Sequence, residues 1–285
     1  MELRTYYVSS EKGNDQNDGK SELTPFATLQ PLQKCELQPG DKILLERGSV
    51  FEDQYLHIRQ SGMKDAPIEV GAYGEGCLPK IHANGTGRWY QDYGRSLDSP
   101  VHVYRGEVSS AILLYDAEYI WIHDLEITNQ DSEKELEQYC APDKMDRTGV
   151  AVVAQNRGTL HDIHLSNLMI HDVNGNVYNK HMNNGGIYMT AFQPEDEAKT
   201  GVARYDGVLV EDCSVWRVSR WGIAVGYTYQ HERFAGAELA EELFTRYGHE
   251  NIVLRNNYVK EAGGDAITPM YALRPLTEHN SADSC

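Results

Sequence analysis

A chain of 285 residues is longer than the usual single domain, yet a regular β architecture reaches this length as one unit, so residues 1–285 are expected to form one elongated domain. A formal net charge of -17 sets the chain against nucleic acid and anionic membrane surfaces, both negative themselves, and leaves a neutral or cationic ligand as the easier partner. The five cysteines (Cys35, Cys77, Cys140, Cys213, Cys285) are scattered without CxxC spacing, which argues for free thiols over a disulfide framework or a zinc site.

The opening "MELRTYYVSSEKGNDQ" has no apolar core of the kind a secretory signal needs. With Met1 as the native start the chain is expected in the cytoplasm; with a leader ahead of it, outside the cell. Next, "TPFATLQPLQKC" reads as a short helix that plugs an open end of the fold, with Pro25 near its start and Phe26, Leu29 and Leu32 on its apolar side.

From residue 120 onward the chain repeats itself. "IWIHDLEI" from Ile120, "IHLSNLMI" from Ile163, "VLVEDCSV" from Val208 and "IVLRNNYV" from Ile252 superpose without gaps. Each carries apolar residues at its first, third and eighth positions, as a half-buried strand does. The fifth position is Asp124, Asn167, Asp212 or Asn256, the residue types that tolerate a bend in left-handed backbone geometry. A second set, "TGVAVV" at Thr148, "GGIYMT" at Gly185, "WGIAVG" at Trp221 and "GDAITP" at Gly264, reads as a small residue followed by a short apolar strand. The two sets alternate, with connections of changing length between them. A stacked solenoid accommodates that pattern, because equivalent residues form rows along the surface while insertions project outward. Propeller blades need four strands per unit, and a leucine-rich horseshoe needs a leucine scaffold that is missing here.

The stretches "YYVSSEKGNDQNDGKSELTPFATLQPL", "PGDKILLERGSVFEDQ" and "APIEVGAYGEGCLPKI" resemble the opening of the pectate-lyase-like superfamily of carbohydrate-active proteins. The resemblance implies an all-β fold: a right-handed parallel β-helix with an N-terminal capping helix and loop insertions. The late "GGDAI" with "EHN" looks most like the glycoside hydrolase branches, of β-xylosidase and lacto-N-biosidase type. A closing cap is not recognisable after Cys285, so the helix is expected to be truncated at its C-terminus, with further coils or a second subunit as the missing part.

Placing the small-residue strands in register makes Thr148, Gly185, Trp221 and Asp265 equivalent positions on successive turns. An acid then stands beside an indole, the pairing a sugar groove uses for proton transfer and for stacking on a pyranose. Asp265 is the first candidate catalytic carboxylate, with an Asp that caps a turn as the plain alternative. Glu278 is the second, a solvated surface glutamate being its alternative. In "NVYNKHMNNGGIYM", His181 and Asn184 lead into the strand of Tyr188 and would border the groove. In "SVWRVSRWGIAVGYTYQHERF", Arg220, Trp221 and Tyr227 are candidate substrate-binding residues, while Trp216 is assigned to packing. "GAELAEELFTRYG" places Leu239, Leu243 and Tyr247 at helical spacing and predicts a short helix over the solenoid. The acidic insertion "NQDSEKELEQYCAPDKMDRTG" is a solvated loop; Ca²⁺ is a weak expectation there, and otherwise no cofactor or metal is expected.

The reading is a glycoside hydrolase that cleaves an oligosaccharide in a groove using paired carboxylates. Its alternatives are a lyase acting on a uronate polymer, disfavoured by the scarcity of Lys and Arg along the small-residue strands, and a non-catalytic carbohydrate-binding subunit.

Overall fold

The computed structural model describes residues 3–95, 97, 103–130, 145–176, 183–235 and 240–285. Twenty strands over these residues make two sheets, one of 13 strands (sheet A) and one of 7 (sheet B), and every pairing but one is parallel. The first rank of sheet A runs β1 (Thr5–Val8), β2 (Lys42–Glu46), β5 (Ile68–Tyr73), β9 (Ile120–Asn129), β11 (Thr159–Val173), β13 (Arg204–Glu211), β16 (Glu250–Arg255) and β19 (Leu276–Glu278). Its second rank uses β3 (Val50–Glu52), β6 (Lys80–His82), the far halves of β9 and β11, then β14 (Ser214–Val218), β17 (Tyr258–Ala262) and β20 (Ser281–Asp283). Sheet B stacks β4 (Leu56–Ile58), β8 (Arg105–Tyr115), β10 (Asp146–Ala154), β12 (Gly185–Ala191), β15 (Trp221–Thr228) and β18 (Ile267–Pro269). Each coil thus passes along both ranks of sheet A, crosses to sheet B and returns one rung higher. The chain is a parallel β-solenoid.

The repeat in the sequence is the register of the sheet. Ile163 pairs with Ile120 on one side and Val208 on the other, and Val208 pairs with Ile252. The first, third and eighth positions of all four repeats point into the core and are at most 1% exposed. The fifth-position bends are left-handed in every case: Asp124 at φ 57, Asn167 at 48, Asp212 at 54 and Asn256 at 55. There the strand turns from the first rank to the second without leaving the sheet, so a residue that accepts positive φ is required.

Inside that bend, the sixth repeat position forms a column down the solenoid. Leu125 and Leu168 pair directly, and Cys213, Asn257 and Asn280 continue the series. Asn257 Oδ1 accepts from the Cys213 N–H at 3.0 Å, and Asn257 Nδ2 donates to Val210 O at 3.0 Å and to Asn280 Oδ1 at 3.0 Å. Asn280 Nδ2 in turn donates to Leu254 O at 2.8 Å. The two amides, Asn257 buried and Asn280 half-buried, thereby close backbone groups that the bend would otherwise leave open.

At the N-terminal end, the helix expected over "TPFATLQPLQKC" is shorter than predicted: a single 3₁₀ turn, Pro31–Lys34. Residues 25–30 form turns, in which Phe26 bridges to Val8 and Ser9 as an added edge. Phe26, Leu29 and Leu32 are nevertheless buried in the core. The later helix is present as Glu241–Tyr247, and two further short helices, Glu197–Thr200 and His231–Phe234, follow β12 and β15. Among the described residues no helix is long and apolar enough to cross a membrane.

The outer face of sheet A carries charged ladders. His171 sits between Asp172 (Nδ1 to Oδ2, 2.7 Å) and Glu126 (Nε2 to Oε1, 3.0 Å) and stacks on Trp216 with ring centroids 4.3 Å apart, the packing role assigned to that tryptophan. Arg217 grips Asp172 with two parallel bonds, at 2.6 and 2.7 Å. Burial works to raise the Asp172 pKa, but the hydrogen bonds from His171 and Arg217 outweigh it and hold the carboxyl well below the usual range.

Two outcomes follow. Asp212→Val puts a β-branched residue at φ 54 on an exposed position and is expected to cost about 1–2 kcal/mol in urea unfolding, whereas Asp212→Gly is tolerated. Because Asp172 is depressed in the folded state, its contribution is present above its ordinary pKa of 3.8 and fades as pH falls below it. Arg217→Ala should cost on the order of 1 kcal/mol at pH 7 and progressively less below about pH 4; a deficit that persists undiminished into strong acid would contradict this assignment.

Candidate functional site

The outer face of sheet B is covered, and what covers it shapes the site. The one antiparallel strand among the described residues, β7 (Arg88–Asp92), pairs with the start of β8 and folds Trp89, Tyr93 and Leu97 over Val108, Leu113, Ala151, Val153 and Phe192. Sequence reasoning passed over this hairpin, although "RWYQDY" alternates in period two between Gly87 and Gly94. It brings Gln91 to the entry of β12: Gln91 Oε1 accepts from Asn183 Nδ2 at 2.7 Å and from its backbone N–H at 3.2 Å.

Next to that contact lies the predicted row. Thr148 pairs with Ser110 and Gly185, and Gly185 pairs with Trp221. Ile223 pairs with Ile267, and Gly222 N–H donates to Asp265 O at 3.0 Å, so Asp265 occupies the next place. Ser110 and Thr148 join their hydroxyls at 2.6 Å, and the Trp89 indole N–H donates to Ser110 Oγ at 2.8 Å. Gly185 interrupts the side chains. Its φ is 133, and a Cβ there would come within 2.0 Å of Trp221 O, so only glycine lets the two rungs meet.

Trp221 is 5% exposed and clusters with Tyr188, Ala224, Tyr227 and Met270. The Arg220 guanidinium lies 5.2 Å from the Trp221 ring centroid. A Cβ on Gly264 would lie 3.2 Å from Arg220 Cγ, so the arginine's stem runs beside the residue that precedes Asp265. Asp265 itself is exposed, and its carboxylate makes no hydrogen bond or ion pair among the described residues. The turn-capping alternative therefore has no hydrogen bond to rest on.

The other predicted residues divide. Tyr188 is fully buried, not groove-facing as expected, because Gly226 leaves room for its ring: a Cβ on Gly226 would sit 2.4 Å from Tyr188 Cζ. The Tyr188 hydroxyl accepts from Tyr227 N–H at 3.2 Å, and burial pushes its pKa up. Asn184 is fully buried too, with Oδ1 accepting from Ser219 Oγ at 2.5 Å and its backbone carbonyl accepting from Trp221 N–H at 3.2 Å. Both support the tryptophan from beneath. Tyr227 is half-buried against His231, at 4.8 Å, and Tyr271, at 5.8 Å, while His231 Nδ1 and Tyr271 Oη meet at 2.6 Å. His181 lies outside the described residues. Glu278 is on the other sheet: it pairs with Arg255 on β16, and its backbone carbonyl accepts from Asn256 N–H. Glu278 therefore stands on sheet A while Asp265 leads into sheet B, and Glu278 lines one recess with Ala266 and Ile267, which follow Asp265.

The site's polar atoms are only partly used. Gln91 Nε2, Asn183 Oδ1, Asn184 Nδ2 and Trp221 Nε1 are all buried without a hydrogen-bond partner among the described residues. Such groups cost free energy unless a ligand or water completes them. No cluster of His, Cys, Asp or Glu able to hold a metal occurs among the described residues, and residues 131–144 of the acidic insertion lie outside them.

No protein-family model matches the chain. A lacto-N-biosidase of Bifidobacterium longum subsp. longum is 43% identical across 98% of this chain, which amounts to 20% of that protein. Two crystal structures of a GH136 lacto-N-biosidase from Eubacterium ramulus, native and selenomethionine, are each 61% identical over 99% of this chain, with a TM-score of 0.95. This chain is a homologue of the lacto-N-biosidases. It spans about a fifth of the Bifidobacterium protein (20%) and under half (45%) of the Eubacterium chain. The lacto-N-biosidase match takes in both sheets, the β7 hairpin and the Trp221–Asp265 row together, because it covers 99% of the chain.

Gly226→Ala tests the layering under Trp221. The added methyl meets a ring that has no free space, so a loss of about 1–3 kcal/mol is expected, accompanied by a change in near-ultraviolet circular dichroism from the Tyr188–Trp221 pair.

Proposed function

We propose that this chain is the β-solenoid part of a glycoside hydrolase acting on an oligosaccharide at the Trp221–Asp265 end of sheet B. The observation that carries the reading is the 61% identity and TM-score of 0.95 to a lacto-N-biosidase over 99% of the chain. The geometry agrees with it. A free, exposed carboxylate stands one rung from a buried indole, beside four polar atoms that await partners.

In this reading Asp265 is one carboxyl of a hydrolytic pair, serving as general acid or as nucleophile. Its freedom from ion pairs leaves both carboxylate oxygens open to a bound sugar. Arg220 and Trp221 bind the sugar next to it, through the guanidinium face and the indole edge. The pair needs a second carboxyl within roughly 5–10 Å; Glu278, which lines a recess with Ala266 and Ile267, is the candidate for it.

The test is cleavage of p-nitrophenyl lacto-N-bioside, chosen for the relatives' name, by the full polypeptide with and without Asp265→Asn. The substitution is expected to lower kcat by about 10²–10⁴ with the unfolding midpoint unchanged. Equal turnover by the variant removes Asp265 from the chemistry. Binding of the glycoside without turnover by the wild type would favour the carbohydrate-binding reading, for which the chain's 45% share of the crystallised relative is the supporting observation.

A further inference from the structure

The row that carries Trp221 and Asp265 has another end. Leu56 pairs with Ile112 and Ser110 pairs with Thr148, so Gln54, two residues before Leu56, holds the place of Ser110, Thr148, Gly185 and Trp221 on the first rung of sheet B. Around it a recess of about 320 Å³ opens to solvent, lined by Thr28, Leu29, Gln30, Gln33, Asp53, Gln54 and Tyr55. With rungs about 4.8 Å apart, four rungs put it about 19 Å from Trp221.

Its chemistry is specific. Gln54 Oε1 is fixed by the Leu29 N–H at 2.7 Å, which leaves the two N–H groups of its amide unused. Gln33 Nε2 donates to Tyr55 O at 3.1 Å, which leaves Gln33 Oε1 as an oriented acceptor. Asp53 Oδ1 is held by Asn84 Nδ2 at 2.9 Å, which leaves Oδ2. Tyr55, half-buried and leaning on His57 with ring centroids 4.5 Å apart, supplies an aromatic face and a hydroxyl without a partner among the described residues. Oriented amide donors, oriented acceptors and one aromatic wall in a recess of this size match vicinal hydroxyls on one side of a pyranose and C–H groups on the other. No Lys or Arg lines the recess and one carboxylate does, which disfavours phosphate, sulfate and uronate, while the uncharged amides and aromatic ring suit a neutral sugar. Burial also drives the His57 imidazole down to about 4, so the neighbouring ring adds no positive charge near neutrality.

We infer that the recess between Gln33, Asp53, Gln54 and Tyr55 is a second saccharide-binding site, for a neutral hexopyranose, on the rung opposite the Trp221–Asp265 end. It binds a sugar without cleaving it and stands whether or not the hydrolase reading does.

Amide chemical-shift mapping of the whole chain tests it, with methyl β-galactopyranoside, methyl β-glucopyranoside and N-acetylglucosamine as neutral probes and glucuronate as the anionic control. At least one neutral probe is expected to shift the amides of Gln33, Gln54 and Tyr55 saturably, and glucuronate to bind roughly tenfold more weakly or not at all. Tyr55→Ala and, separately, Gln33→Ala should abolish those shifts, while Trp221→Ala leaves them intact. If no neutral probe moves these amides, if glucuronate binds as well, or if shifts occur only around Trp221, the second site is refuted. Two independent variants guard against a folding defect in either, and the wild-type map needs neither.

Discussion

The structure depends on parallel, in-register hydrogen bonding between successive coils. Ile120, Ile163, Val208 and Ile252 lie one above another because each coil hands its amides to the next at the same sequence position. A shift of one residue in any coil would turn its apolar set outward and its charged set inward. Everything of functional interest inherits this alignment. Trp221 and Asp265 are neighbours only because 44 residues of chain close one full circuit between them, and the ladders on sheet A join carboxylates to cations contributed by different coils in the same way.

Placing an acid beside an indole in such a stack has an electrostatic side. With a net charge of -17, the protein ties several of its carboxylates to cations along sheet A: Glu69 with Lys42, Glu126 with Lys80, Asp172 with Arg217, Glu211 with Arg255. Those partners hold Glu69, Glu126 and Glu211, like Asp172, below the usual carboxylate range even though burial opposes it. Asp265 has no such neighbour. The fold therefore separates a face of paired acids on sheet A from the edge of sheet B, where Asp265 is exposed and unpaired.

The stacking was legible in the sequence because solenoid register is a local property repeated: the same three inward positions and the same left-handed bend recur, and Asp124, Asn167, Asp212 and Asn256 mark it without any knowledge of distant contacts. The row from Thr148 to Asp265 could be drawn for the same reason. What escaped was contributed by elements that do not repeat. The β7 hairpin occurs once, so nothing in the periodicity announces that Gln91 reaches Asn183, 92 residues away. Burial of Tyr188 and Asn184 hinges on Gly226 and Ser219 in the following coil, a three-dimensional fit that a pattern of apolar letters does not encode. Glu278 was assigned to the right turn of the chain, and only coordinates show that its strand belongs to the opposite wall.

The column of Leu125, Leu168, Cys213, Asn257 and Asn280 changes character along its length, from oily to amide. Leucines in such a stack pack by shape and bulk, without a directional bond of their own to hold one coil's register against the next. Amides differ, since each interlocks with carbonyls and N–H groups at fixed spacing. The upper coils thereby add a directional side-chain lock to their backbone ladders, while at this column the lower ones add only apolar packing. A slipped intermediate during winding should thus cost apolar burial at either end and, at the asparagine end, the directional bonds of those two amides as well.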